Sequence, residues 1–69
     1  MPENELENSL KVHRARLNLT QAELAERVGV SRKTINTVEN GVFTPSATLA
    51  LKLARALGVT VEKVFSLRD

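Results

Sequence analysis

Residues 20–41, TQAELAERVGVSRKTINTVENG, predict two short helices joined by a tight turn. Thr20 precedes an apolar-periodic run and Glu23 follows three residues later, which is the spacing of a capping box that starts a helix. Gly29 can adopt the left-handed conformation that ends a helix without steric cost, and Ser31 is placed to cap a second helix. The apolar positions at helical spacing that join the two helices are Leu24, Ala25, Val28, Ile35 and Val38.

The second of these helices has one face without any apolar residue, formed by Arg32, Lys33, Asn36 and Thr37. Arg32 and Lys33 can each donate to O6 and N7 of guanine, and the two residues one turn later can contact adenine edges or the thymine methyl. Two cations at a helix N-terminus oppose the helix dipole at a cost of roughly a few tenths of a kcal/mol, which a bound anion would offset. The pattern favours a DNA-reading helix, although the spacing alone also fits two helices that merely pack.

Length and composition restrict the alternatives. A chain of 69 residues has room for one domain, and its mainly aliphatic hydrophobic residues are typical of a small helical protein. The absence of Cys and the single His exclude disulfides and a Cys/His zinc site, so we expect His13 to lie at the surface or at an edge. No nucleophile–base constellation or Gly-rich phosphate loop indicates an enzyme, a cofactor or a small-molecule site.

The charge of the chain is unevenly distributed. The formal net charge is +2, but Glu3, Glu5 and Glu7 precede residue 8, which leaves ten basic and five acidic residues over 8–69 and a net charge of +5. A basic domain suits a polyanionic partner such as double-stranded DNA, and solubility is the alternative explanation of the charge. No apolar run approaches the ~20 residues of a membrane span, so we expect a cytoplasmic protein without a membrane partner.

The first part of the chain predicts a tail and a helix. Residues 1–7 carry acidic residues without apolar periodicity and are interpreted as a flexible or weakly paired tail, followed by a single domain over 8–69. We expect the first helix to begin at residue 8 or 9 and to end at Leu17. Its predicted inward residues are Leu10, either His13 or Arg14, and Leu17, with Val12 partly buried.

The C-terminal part predicts two further helices. Thr44 as N-cap and Pro45 at the first helical position indicate a helix over 46–57 that Gly58 ends, with Leu49, Leu53, Ala54 and Leu57 inward. Thr60 is predicted to cap a last short helix over 61–65, and residues 66–69 form the end, with an extended conformation as an open alternative.

The two segments TQAELAERVGVSRKTINTVENG and TPSATLALKLARALGVTVEKVF resemble the Cro and lambda-repressor-like helix-turn-helix family, also called the XRE family, of bacterial, archaeal and phage regulators. The resemblance covers about residues 10–67 and rests on TQAELA, the Gly of the turn, ENG and PSxxxALKLAxALGV matching in this order. It implies an all-α, five-helix, lambda-repressor-like DNA-binding domain whose second and third helices form the helix-turn-helix.

The resemblance also implies a role for individual residues. Gln21 would contact a phosphate and brace the recognition helix, and Arg14 would pair with Glu39 beneath the DNA-facing surface, the alternative for Arg14 being solvent or phosphate. Base contacts are expected from Arg32, Lys33 and Thr37, with Asn36 as a further candidate. Phosphate contacts are expected from Gln21, Ser31, Thr34 and Asn40.

One position departs from the family's pattern. Relatives often carry a phosphate-directed lysine after Asn40 and Gly41, whereas this chain has Val42, followed by Phe43. The loop therefore loses an electrostatic contact and gains apolar surface. We expect Phe43 to pack on the core.

Together these patterns predict a sequence-specific DNA-binding transcriptional regulator, a repressor that occupies a promoter as a two-fold homodimer on half-sites about 34 Å apart. The alternative is a protein-interaction module such as an antitoxin or anti-repressor component. The C-terminal part has more apolar residues than a short helix needs, and they either form the dimer surface or close the core over the first helix. These candidate dimer residues are Val59, Val61, Val64, Phe65 and Leu67.

Overall fold

Five helices lie between two short strands in a computed structural model that describes residues 5–68. The elements are β1 (Leu6–Asn8), α1 (Leu10–Arg16), α2 (Gln21–Val28), α3 (Arg32–Glu39), α4 (Ala47–Leu57), α5 (Val61–Val64) and β2 (Phe65–Leu67). The predicted five-helix fold with its helix-turn-helix is confirmed, and a small sheet joins its two ends. No helix within residues 5–68 is both long and apolar enough to cross a membrane.

The two strands pair antiparallel, with Leu6 opposite Leu67 and Asn8 opposite Phe65. Leu6 is half-buried and packs against the hydrophobic core, into which Phe65 is fully inserted. The sheet therefore fastens the start of the domain to its end.

Of the two alternatives predicted for residues 1–7, a flexible or a weakly paired tail, Leu6 and Glu7 follow the paired one. Leu6 and Glu7 lie in β1, while residues 1–4 lie outside the described residues. Glu7 also accepts a 3.3 Å bond from Arg68, but both side chains are about half exposed, so this ion pair contributes little. Leu6 and Glu7 are ordered by backbone pairing to a segment about 60 residues away, which no local pattern reveals.

Helix α1 starts later and buries less than predicted. Asn8 Oδ1 accepts the Leu10 amide at 3.0 Å, and Leu10 is fully buried. Leu17 and Val12, however, are exposed, so their predicted burial is wrong. The helix ends before Leu17, and the following turn brings Leu19 into the core instead.

The helix-turn-helix is built as its sequence predicts. The hydroxyl of Thr20 accepts the Glu23 amide at 3.0 Å, and the Glu23 carboxylate accepts the Thr20 amide at 2.8 Å, which completes the capping box at the start of α2. Gly29 has φ +76° and lets the Val30 amide bond back to the Ala25 carbonyl at 3.0 Å, which turns the chain. Ser31 then caps α3 by accepting the Thr34 amide at 3.1 Å.

Helix α4 begins one residue further along the chain than predicted, because the N-cap is Ser46 and not Thr44. The Ser46 hydroxyl accepts the Leu49 amide at 3.1 Å, so Pro45 precedes the cap instead of occupying the first helical position. Helix α5 ends at Val64, since Phe65 is extended and opens β2.

The helices and β2 share one core centred on Leu10, Leu24, Ile35, Val38 and Leu53, which are almost completely buried. The four residues of α4 predicted to point inward are all buried. Phe43 is 46% exposed, so its predicted burial in the core is wrong. The loop that carries Phe43 runs across the surface, with its amide bonded to the Thr37 carbonyl at 3.2 Å.

The capping box gives a pH-dependent prediction. The pKa of Glu23 lies below its ordinary value of 4.5, mainly because the backbone amide of Thr20 donates to the carboxylate, with smaller contributions from the nearby Thr20 side chain and from Arg27. Its ionised form therefore stabilises the folded chain above pH 4.5, and this stabilisation is lost as the pH falls through the lower folded pKa.

Urea unfolding at neutral pH and at about pH 3 should therefore show a larger fall in stability for the wild type than for Glu23→Gln. The glutamine retains the capping hydrogen bond but does not titrate. An equal fall in both proteins would contradict this role of Glu23.

Candidate nucleic-acid interface

The outward face of α3 lies opposite the residues that anchor the helix. At about 100° per residue, Lys33, Asn36, Thr37 and Asn40 fall within an arc of about 100° on the side away from Ile35 and Val38. Lys33 and Asn40 are exposed, while Asn36 and Thr37 are half-buried. Arg32 is exposed at the edge of this face.

The start of α3 presents two hydroxyl groups next to its cations. The Ser31 and Thr34 hydroxyls are bonded to each other at 3.0 Å, and Ser31 Oγ also accepts the Thr34 amide. The two hydroxyls carry two hydrogens and use one between them, so one remains for an outside acceptor. This geometry can serve a phosphate oxygen, as predicted for the two residues.

Thr37 is restricted in what it can donate. Its hydroxyl donates to the Thr34 carbonyl at 2.9 Å, which uses the hydrogen. The side chain retains acceptor lone pairs and a methyl group for an outside contact. Of the base contacts predicted for Thr37, an apolar contact with a thymine methyl fits best.

The ion pair expected between Arg14 and Glu39 is present. Arg14 Nε donates to Glu39 Oε2 at 2.7 Å and Nη2 donates to Oε1 at 3.3 Å, so the guanidinium meets the carboxylate with two bonds. The side chains are only 14% and 4% exposed. Arg14 Nη1 also donates to the Leu19 carbonyl at 2.7 Å, which ties the end of α1 to the start of α2.

Gln21 connects this ion pair to the outward face. Its Nε2 donates to Glu39 Oε1 at 3.0 Å and to Asn36 Oδ1 at 3.2 Å, and Asn40 Nδ2 donates to the same Asn36 oxygen at 3.3 Å. The predicted bracing of the recognition helix by Gln21 is therefore present. Both hydrogens on Nε2 are donated to Glu39 and Asn36, so this amide nitrogen has none left for a phosphate.

Asn8 has a role that the sequence pattern did not reveal. Its Nδ2 donates to the Val38 carbonyl at 2.9 Å, while its Oδ1 accepts the Leu10 amide. Asn8 thus fixes the last turn of α3 to β1 and α1. An asparagine just before a helix signals a cap, but nothing in the sequence signals its second bond to residue 38.

The candidate dimer residues divide into two groups. Val64 and Phe65 belong to the core and cannot offer a dimer surface, because their side chains are covered by the domain itself. Val59 and Val61 are half-buried, and Leu67 is 72% exposed. An apolar partner surface at this end of the domain is therefore limited to Val59, Val61 and Leu67 among the five.

Comparison with known families agrees with this geometry. Residues 10–64, which include all five helices, match the model of the helix-turn-helix family. The chain belongs to this helix-turn-helix family. Within this family the chain is of the XRE type, and its structural neighbours are Cro and lambda-repressor-like regulators. The resemblance seen in the sequence is therefore confirmed.

Relatives of the helix-turn-helix chain are similar over nearly its full length. An uncharacterised HTH-type transcriptional regulator of Methanocaldococcus jannaschii is 47% identical over 64 residues, which cover 93% of this chain and 97% of the relative. As a member of this family, the helix-turn-helix chain is a DNA-binding transcriptional regulator and not an enzyme.

Solved structures of helix-turn-helix regulators are similar in fold. The P22 c2 repressor protein, solved in complex with a synthetic operator, is 30% identical with a TM-score of 0.74, covering 77% of this chain and 80% of the repressor. The restriction-modification controller protein of Aeromonas hydrophila is 33% identical with a TM-score of 0.74, covering 78% of each chain.

Proposed function

We propose that this helix-turn-helix protein binds a specific DNA sequence by inserting α3 into the major groove. The observation that carries the proposal is the outward face of α3, where Arg32 and Lys33 are both exposed at the helix start. Helix-turn-helix proteins contact base edges with the first residues of their second helix. Arg and Lys in this position are the side chains best suited to the guanine acceptors O6 and N7.

Phosphate contacts on either side of α3 would fix its position in the groove. We assign them to the free hydroxyl hydrogen of Ser31 and Thr34, to the second Nδ2 hydrogen of Asn40, and to the backbone amide of Gln21. Gln21 is the first residue of α2, where amides have no partner within the helix and favour anions. These contacts position the protein and carry no sequence information by themselves.

A single domain of this size makes few base contacts, so specific binding at nanomolar concentration requires two copies. We propose a two-fold homodimer on a palindromic operator whose half-sites lie about 34 Å apart, with Val59, Val61 and Leu67 at the subunit contact. The operator complex of the similar P22 c2 repressor supports a repressor role for this chain, exerted by occupying a promoter.

Selection of binding sites from a random DNA pool tests this function directly. We expect an enriched palindrome with half-sites one helical turn apart. An enriched site without two-fold symmetry would contradict the dimer but not DNA reading. If no DNA sequence is enriched, sequence-specific binding is contradicted. That result would favour the alternative function, a protein-interaction module such as an antitoxin or anti-repressor component.

Lys33→Ala should relax base preference at particular positions of the selected site, at a cost of roughly 1–3 kcal/mol for the preferred base. Lys11→Ala is the matched control. Lys11 is exposed on α1, so this substitution removes the same charge outside the α3 face. Affinities for the selected site and for single-base variants, measured at several salt concentrations, separate the loss of base preference from the loss of a positive charge. Equal losses on every sequence for both variants would contradict base reading by Lys33.

A further inference from the structure

The buried ion pair dictates which atoms its neighbours present. The Arg14 guanidinium only donates hydrogen bonds, and the ionised Glu39 carboxylate only accepts them. Any amide that contacts this carboxylate must therefore do so through its nitrogen. Gln21 does this with Nε2, 3.0 Å from Glu39 Oε1.

This polarity passes from Gln21 to Asn36. The second hydrogen on Gln21 Nε2 points to Asn36, which must present an acceptor and does so with Oδ1 at 3.2 Å. Asn40 also donates to this oxygen, at 3.3 Å. A carbonyl oxygen has two lone pairs, and both of those on Asn36 Oδ1 are occupied. The charge of the Glu39 carboxylate, which is linked to Asn36 through two hydrogen bonds of Gln21, thus sets the amide orientation of Asn36.

The constraint leaves Asn36 with donors alone on its outward side. Within residues 5–68, Nδ2 of Asn36 has no acceptor, whereas its oxygen has two donors. Asn36 stands on the same face of α3 as Lys33, which precedes it by one turn. Its two free hydrogens therefore point to the surface that we assign to DNA.

We propose that Asn36 reads its base as a donor only and selects guanine over adenine at the purine that it contacts. An unconstrained asparagine prefers adenine, because its oxygen accepts from N6 while its nitrogen donates to N7. Here no lone pair remains for the adenine amino group, which would face the Asn36 hydrogens donor to donor. Guanine offers acceptors at both O6 and N7.

This inference rests on the proposed function and reverses the adenine contact that the sequence suggested for Asn36. It makes Gln21 and Asn40 positioning residues for base choice, in addition to any phosphate contact they form. The specificity would then depend on an ion pair that is largely buried.

The test begins with selection from a random DNA pool, carried out once with the wild-type chain and once with the Asn36→Ala variant. We expect the alanine variant to lose preference at one purine, and the wild type to favour guanine over adenine there by roughly 5- to 150-fold. Adenine at this purine, or no position relaxed by Asn36→Ala, would overturn the inference. No enriched sequence for the wild type would instead overturn the proposed function.

Two further variants examine the cause of the preference. Asn36→Asp has the same shape and still accepts from Gln21 and Asn40, but it presents an acceptor outward, so the guanine preference should disappear. Gln21→Met combined with Asn40→Ala frees the Asn36 oxygen, and the guanine-over-adenine ratio should fall at least several-fold. Thermal unfolding verifies that each variant is folded, and an unchanged ratio in a folded double variant would overturn the inference.

Discussion

Glu39→Ala is expected to lower the free energy of unfolding by about 3–5 kcal/mol, because it leaves the Arg14 guanidinium largely buried without its counter-charge. Arg14 is 14% exposed and would retain only its bond to the Leu19 carbonyl. Gln21 would lose one of its two acceptors at the same time. A domain of this length has a total stability of roughly 3–10 kcal/mol, so much of it would be lost.

Urea denaturation of a double-mutant cycle measures this effect. Arg14→Met should cost a similar amount, since it leaves the Glu39 carboxylate buried with Gln21 as its remaining donor. The combination Arg14→Met with Glu39→Ala should be less destabilising than either single variant, because no buried charge remains. Additive losses would show that Arg14 and Glu39 stabilise the fold independently.

The parts of the fold that could be predicted from sequence are those specified by local chemistry. Thr20 with Glu23, Gly29 and Ser31 each mark a helix end through a contact within five residues, and all of them occur as predicted. The inward residues of α2, α3 and α4 follow from a spacing of 3.6 residues per turn, which is also local information.

The errors arise where distant contacts decide the structure. The order of Leu6 and Glu7 depends on β2, at the other end of the chain. Leu17 and Phe43 are apolar, but Leu17 directly follows the end of α1 and Phe43 lies in the loop between α3 and α4, where the direction of the chain decides burial. Leu19, two residues after Leu17, enters the core instead because of the turn between α1 and α2.

The site shows the same division between local and distant information. The residue types on the outward face of α3 could be predicted, because helical spacing fixes which side chains share a face. Their remaining hydrogen-bonding capacity could not, since it depends on Gln21 from α2 and, through Glu39, on Arg14 from α1. The base preference that we propose for Asn36 is therefore a property of the folded domain.

Ile35→Ala is expected to lower the free energy of unfolding by about 2–5 kcal/mol, the range for removing a fully buried aliphatic side chain and leaving a cavity. Ile35 has no exposed surface and holds α3 on the core, while Lys33 and Asn36 lie on the opposite side of the same helix. The substitution should thus affect stability far more than base choice. Urea denaturation gives the first quantity and binding to single-base variants gives the second.

Ile35→Val is the matched control, with an expected loss of about 0.5–1.5 kcal/mol because only one methylene group is removed. At a temperature where circular dichroism shows Ile35→Ala to be folded, its base preference should equal that of the wild type. A changed preference in the folded variant would mean that core packing sets the angle of α3 in the groove. Equal stability losses for the two variants would mean that the core closes around the cavity at position 35.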